Sequence, residues 1–491
     1  MTEPADDGGD RELRRLLVAM ASLMVAGAFA LCATLLHHPE AGAVVVVIAI
    51  LATVVLARPT QIMLGLVALS LAVEMVIPLQ TGGGRIGDWD LHYQLGRAYA
   101  GLSSTVNLTD LRQRTPLFDA LAGSVLVWGK SYWSFQIVSV VLNSLWLWPA
   151  QRLLQTFGAS PRRLLVVGLT PMIVLYSVYT WPWGFVSFFV LGALCGALAR
   201  GRVAAITIGV ALAGALLTHI GSIGLVAGLG FWVLLRRRDW KLTVVAGCVG
   251  VALIAPWAAF THTLSPSVLW QGSIPAQYAG SLGQWLLSRP VLFASAFWGI
   301  PPPRLGTPLL DVVISLFFFS TSAALLPVLI VGRRWPRPPA PVLWAIGGGV
   351  IAGMLLLPTN TSRSGLAETV FTADIALIVA GVARLSRQQA RTLAQVTAGL
   401  AAIAIAALVW RSEIVVPGDP NLRYKVSQAL EFLVARFTVV PGILLGVIGV
   451  VLLARSWRRD QTSRTIPMTP TRIPGATVKR ATKNSSAWDT L

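Results

Sequence analysis

Thr115-Pro116-Leu117-Phe118-Asp119-Ala120-Leu121-Ala122-Gly123-Ser124-Val125-Leu126-Val127-Trp128-Gly129 decides how the whole chain is threaded. A bilayer core of about 30 Å needs about twenty helical residues, and this run is apolar but short. If it crossed, Arg152, Arg162 and Arg163 would face outward and every later loop would change sides. With 116–129 kept as a juxtamembrane helix and both termini inside, 27 of the 39 Lys and Arg fall on inner segments. Basic residues collect on the cytoplasmic side of membrane proteins, so that threading is chosen.

Working outward, apolar runs fill almost the entire chain. Of 491 residues, 55% are apolar, only 12% are charged, and 18 are Trp; the mean hydropathy is +0.70. Soluble domains do not have this composition, and a large separate catalytic domain is excluded because no long stretch is free of an apolar run. In lipid the backbone must satisfy its own hydrogen bonds, so helices are required. Spans are expected near 16–36, 41–57, 60–79, 133–151, 163–179, 184–199, 203–218, 221–235, 242–260, 309–331, 340–357, 367–384, 392–410 and 437–454. The predicted fold is thus an all-α polytopic bundle of about fourteen transmembrane helices.

The formal charge of +19 lies wholly on the inner side in this threading, which implies attraction to anionic membrane lipids rather than to nucleic acid. Cys32, Cys195 and Cys248 all fall in apolar runs and read as small buried hydrophobes, with no disulfide framework and no zinc site. The tail from 455 to 491, rich in Thr, Arg, Ser and Pro, is expected to be disordered and cytoplasmic.

The unusual residues are all outside. His37, His38, His92, His219 and His262 fall on the outer face, and the longer outer segments are 80–132, 261–308 and 411–436. In the first, Gly82-Gly83-Gly84 ends the third span and Gly87-Asp88-Trp89-Asp90-Leu91-His92-Tyr93 follows. Leu91, Leu95, Ala98 and Leu102 recur at helical spacing, predicting a short amphipathic helix on the outer surface. Asp88 and His92 stand one turn apart, while Asp90, Tyr93 and Arg97 share a neighbouring face. Asp88 has two readings, an acid–base group or the N-cap of this helix. His92 reads as a surface histidine, as a group orienting Asp88, or as a metal ligand. Asp88-Trp89-Asp90 also matches an Asp-x-Asp metal pattern, although no resident metal or other cofactor is expected.

Elsewhere, Leu422, Val426, Leu430 and Leu433 predict another interfacial helix. Glu368 and Asp374, near Arg363, are candidates for a gating pair, a second site or structural ion pairing. Glu74 is costly inside a span unless paired or wet and is expected to face a cavity. His219 and His262 are candidates to line an outer cavity or to serve the local structure.

These residues carry a resemblance. Gly87–Tyr93 resembles the acidic motif in the first outer loop of the GT-C superfamily of polytopic glycosyltransferases, in the branch of the protein O-mannosyltransferases and the lipid A aminoarabinose transferase. Arg114-Thr115-Pro116-Leu117-Phe118 resembles that branch's Pro-Pro-Leu-Tyr segment, with Thr115 in place of the first proline. The similarity spans residues 60–260. It implies five regions: an inner N-terminus (1–15), two extra helices (16–59), the GT-C-like module (60–260), further helices and outer loops (261–454), and the basic tail (455–491). The Trp-Trp-Asp signature of oligosaccharyltransferases is absent.

What the resemblance implies is a glycosyltransferase of the cell membrane, active on the extracytoplasmic face. It would use a polyprenyl-phosphate sugar and a glycan, lipid or protein hydroxyl as acceptor. Asp88 or Asp90 would be the base, with His92, Tyr93, His219, His262 and Glu368 in support. Arg97, Arg112, Arg114, Arg289, Arg304 and Arg363 would hold the donor phosphate. The rival reading is a polytopic transporter or lipid flippase.

Overall fold

A computed structural model of the chain describes residues 7–76, 88–102, 115–130, 132–170, 173–174, 182–236, 238–261, 340–356, 362–411, 413–416, 419–425 and 439–462. The helices are α1 (Asp7–Leu35), α2 (Pro39–Ala57), α3 (Gln61–Val76), α4 (Asp88–Tyr99), α5 (Leu117–Ser124), α6 (Leu126–Gly129), α7 (Tyr132–Ser144), α8 (Leu147–Thr156) and α9 (Leu164–Gly168). They continue with α10 (Trp183–Leu198), α11 (Arg202–Thr218), α12 (Ile223–Phe231), α13 (Trp240–Thr261), α14 (Ala340–Leu356), α15 (Ser362–Val382), α16 (Arg387–Arg411) and α17 (Val439–Thr462). Apart from these, β1 (Glu413–Val416) and β2 (Asp419–Lys425) form a small antiparallel ribbon.

The molecule is an integral membrane protein, as its exposed side chains make plain. On α2, Val44, Ile48, Leu51 and Val55 are all exposed at helical spacing. Water would penalise such a stripe, whereas a bilayer is its natural solvent. Asp10–Leu35, Pro39–Ala57 and Trp240–Ala259 are long and apolar enough to cross a membrane, and eight shorter apolar helices accompany them among the described residues.

Neighbouring helices meet through small residues. In lipid there is little hydrophobic drive between helices, so close backbone approach supplies the contact. Gly42 on α2 sits against Ala30 and Ala33 of α1. Gly449 of α17 sits against Gly65 of α3, where an added Cβ would lie 2.9 Å from the Gly65 carbonyl oxygen. Gly228 of α12 meets Gly348 of α14 backbone to backbone. At the centre α10 is buried from Trp183 to Ala197, and Phe185, Phe188 and Phe189 are fully enclosed. Its start is held by α7, because Asn143 Oδ1 accepts the Phe185 N–H at 3.0 Å.

Several expectations change. The span expected over 133–151 is broken: the chain turns at Leu145 and Trp146, separating α7 from α8. The one expected over 163–179 opens as the five-residue α9 and turns at Leu169. After Phe231, α12 widens into a π turn over Trp232–Arg236. Where Leu422, Val426, Leu430 and Leu433 were expected to share an interfacial helix, Leu422 lies in β2, and 426–438 lie outside the described residues. Cys32 and Cys248 are exposed on their apolar helices, and of the three cysteines only Cys195 is buried. Glu74 is 1% exposed, and neither of its carboxyl oxygens has a hydrogen-bond partner among the described residues. The expected span at 309–331 and the tail beyond Thr462 lie outside the described residues.

Candidate functional site

The amphipathic helix anticipated from Leu91, Leu95, Ala98 and Leu102 is α4, and Asp88 is its first residue. It does not lie on the surface. His92, Leu95, Ala98 and Tyr99 are all buried, because Gly96 lets α5 approach: a Cβ added at Gly123 would run into the Gly96 backbone. Phe135 of α7 closes the same gap, 2.8 Å from where a Gly96 Cβ would be. All eight residues of α5 are buried, including the carboxylate of Asp119.

A carboxylate in such a place needs a partner. The partner is His92, whose Nδ1 stands 2.7 Å from Asp119 Oδ1. The two side chains are 7% and 3% exposed, so the contact is screened from solvent. An ionised carboxylate only accepts, so Nδ1 carries the hydrogen in this bond. In the neutral imidazole Nε2 then holds the lone pair. The Phe118 ring meets His92 edge-on at 5.8 Å, and Phe135 meets both Tyr93 (5.7 Å) and Phe118 (6.4 Å). Tyr99, two turns along α4, has its phenol pushed above the usual range, first by burial and then by the Asp119 charge.

Two further bonds fix this corner to the bundle. Thr34 Oγ1 near the end of α1 donates to the Tyr99 carbonyl at 2.8 Å. Thr115 Oγ1, just before α5, donates to the Thr218 carbonyl at the end of α11 at 3.1 Å. The departure from a double proline at Thr115 therefore serves as a tether.

The other anticipated residues are dispersed or undescribed. Arg97 stands on α4, where Nη2 donates to the Leu102 carbonyl at 3.3 Å and closes the helix end. His219 follows α11 in extended conformation; its Nδ1 accepts the Gly221 N–H at 3.2 Å and its carbonyl accepts the Ser222 hydroxyl at 2.8 Å. That is a turn-forming role. Asp374 is buried on α15. Arg363 and Glu368 belong to α15, and Asp90 to α4, but their side chains, like that of Asp88, are outside the described part. Arg112, Arg114, His262, Arg289 and Arg304 lie outside the described residues altogether.

His92 is thus corrected from a surface histidine to one half of a buried polar pair, and Asp119 is the residue that sequence reasoning passed over. Its signal was present, since it is the one acidic residue in the apolar run 115–129. Among the described residues no three His, Cys, Asp or Glu side chains gather as a metal group would require.

The fold and this corner define a helical integral membrane protein with a buried polar pair joining α4 to α5. No family model matches the chain, and no curated protein matches it. Among solved structures the chain is similar to the crystal structure of ArnT from Cupriavidus metallidurans bound to undecaprenyl phosphate. That likeness has 16% sequence identity, covers 81% of this chain and 77% of that one, and has a TM-score of 0.45.

Proposed function

We propose that the protein is a membrane glycosyltransferase that moves a sugar from a polyprenyl phosphate to an acceptor hydroxyl on the extracytoplasmic face. One observation carries the reading. Asp88–Tyr93 of one resembling segment lie on α4, Leu117 and Phe118 of the other open α5, and these two helices pack together and share the buried His92–Asp119 bond. The acidic motif therefore stands at the start of a helix anchored at its centre, a rigid mount of the kind a reacting group needs.

The chemistry follows from the donor. No nucleotide sugars are available outside the cell, so a lipid phosphate is the leaving group. In-line attack by the hydroxyl inverts the anomeric carbon and requires a base as the bond forms; Asp88, or Asp90 in its place, takes that proton. A placed carboxylate contributes about 10² to 10⁴ in rate, and the α4 dipole favours an ionised carboxylate at its first residue. Departing phosphate is met by arginines, whose planar fork matches its oxygens. Arg97, Arg112, Arg114, Arg289, Arg304 and Arg363 are the candidates. No metal is required.

The test uses purified protein in lipid nanodiscs with polyprenyl-phosphate-linked mannose, glucose, galactose and arabinose, following donor consumption. One of these donors should be consumed. Asp88→Asn keeps the shape and helix-starting ability of the residue, and should bind donor normally while turnover falls by about 10² or more. No consumption of any donor, or movement of an intact lipid-linked sugar between leaflets in vesicles, sinks the proposal and leaves the transporter reading.

A further inference from the structure

The base must lose its proton after every transfer, and the structure holds a group suited to take it. His92 stands four residues after Asp88 on α4, on the same helix face. Its Nδ1 is committed to Asp119 at 2.7 Å, which fixes the ring orientation and leaves Nε2 as the free acceptor in the neutral form. When Nε2 takes a proton, the imidazolium is paired at once with a carboxylate that is itself 2% exposed. Such a pair is costly to assemble inside a protein for stability alone, because two apolar residues of similar volume would serve at least as well. The elements around it are accounted for. Among the described residues, α5 contributes Asp119 and the Phe118 ring, α7 Phe135, and α4 itself the Tyr99 phenol that feels the Asp119 charge.

We infer that His92 and Asp119 form a proton-relay pair serving Asp88, an inference that rests on the glycosyl-transfer reading. The acceptor O–H bond breaks as the new bond from oxygen to the anomeric carbon forms. The old bond from that carbon to the phosphate oxygen breaks with its electron pair leaving on the phosphate. The proton passes to the Asp88 carboxylate and then to His92 Nε2. Asp119 stabilises the imidazolium without being protonated, and the proton then goes to water, restoring neutral His92 and ionised Asp88.

The decisive variant is His92→Asn. Its amide N–H₂ stands where Nδ1–H stands, so the bond to Asp119 survives, but nothing replaces Nε2. In the nanodisc assay with the donor that wild type consumes, kcat should fall at least tenfold, with donor KM within threefold and the thermal midpoint nearly unchanged. Histidine ¹⁵N spectra supply a measurement that needs no turnover: the His92 resonance, assigned by its absence in His92→Asn, should show protonated Nδ1 and bare Nε2 at alkaline pH. A kcat within threefold of wild type in His92→Asn, or a proton found on Nε2 instead, overturns the relay while leaving glycosyl transfer standing. Wild type that consumes no donor overturns both.

Discussion

Gly123 sets the distance on which the whole candidate site depends. Its Cα lies so near Gly96 that any Cβ must displace backbone rather than a flexible side chain, and overpacking of this sort costs about 1–3 kcal/mol. Gly123→Ala should therefore lower the thermal midpoint by several degrees and, by driving α4 from α5, separate His92 from Asp119, cutting turnover more than tenfold. Gly399→Ala is the control: its Cβ would meet nothing within 4 Å, so the ordinary helix gain of Ala over Gly, about 0.5–1 kcal/mol, should appear. Equal effects of the two substitutions would show that the Gly96–Gly123 approach has no special role. At this scale the sequence is only half readable. Asp88, His92 and Asp119 can all be singled out as polar residues at apolar boundaries, but pairing His92 with Asp119 needs the packing of two helices 27 positions apart, and no local pattern encodes that.

Among the elements, α15 shows how a basic turn can support a helix from outside it. Arg163 Nη1 donates to the carbonyls of Val382 and Ala383, each at 2.7 Å. The Val382 carbonyl also accepts the Leu385 N–H at 3.3 Å, and a cation is favoured at a helix C-terminus by the dipole. Burial, and then the nearby Arg387 charge, hold its guanidinium below the usual range, yet it stays charged at neutral pH. Arg163→Ala should destabilise the protein by about 2 kcal/mol, read as a lowered thermal midpoint, whereas Arg387→Gln, which removes the like charge, should not. A midpoint unchanged in Arg163→Ala would make the two bonds incidental.

The helices themselves were largely legible, because apolar runs bounded by Arg, Gly and Pro leave few choices. Pro39 opens α2 and Gly201 precedes α11 near the expected boundaries. The errors have a common cause. Hydropathy is blind to breaks inside a run, so the turn at Leu145–Trp146 and the π turn after Phe231 were invisible. The spacing of Leu91, Leu95 and Ala98 gave the helix α4 but not its burial, since an amphipathic pattern does not say whether lipid, water or another helix covers each face. Leu422 was read at helical spacing although its neighbourhood pairs as a ribbon, Glu413 opposite Lys425; there a cross-strand pattern and a helical one share the same apolar positions.

For the molecule as a whole, the sidedness expected from the basic residues has a direct test. A cysteine at Ser103, between the two helices of the candidate site, should react in intact cells with a membrane-impermeant maleimide. One at Ser485, in the basic tail, should react only after permeabilisation. Because Cys32 and Cys248 are exposed on apolar helices, the labelling is best done with both replaced by Ala. Tail labelling in intact cells would invert the threading and put the acidic motif on the side where nucleotide sugars are made.

The first helix also carries a consequence in time. Met20 and Leu16 of α1 sit against Gly192 of α10, and Gly27 sits against Leu117. The face they form is therefore finished only when much later segments arrive. Gly192 is roughly 170 residues behind Met20, so at synthesis rates of about 5–20 residues per second α1 waits roughly ten to thirty seconds for its partner. During that interval Leu16 and Met20, both fully enclosed in the finished protein, lack the Gly192 surface on which they pack. Assembly of the bundle is consequently ordered by the ribosome, with one face of the earliest helix left open until α10 emerges.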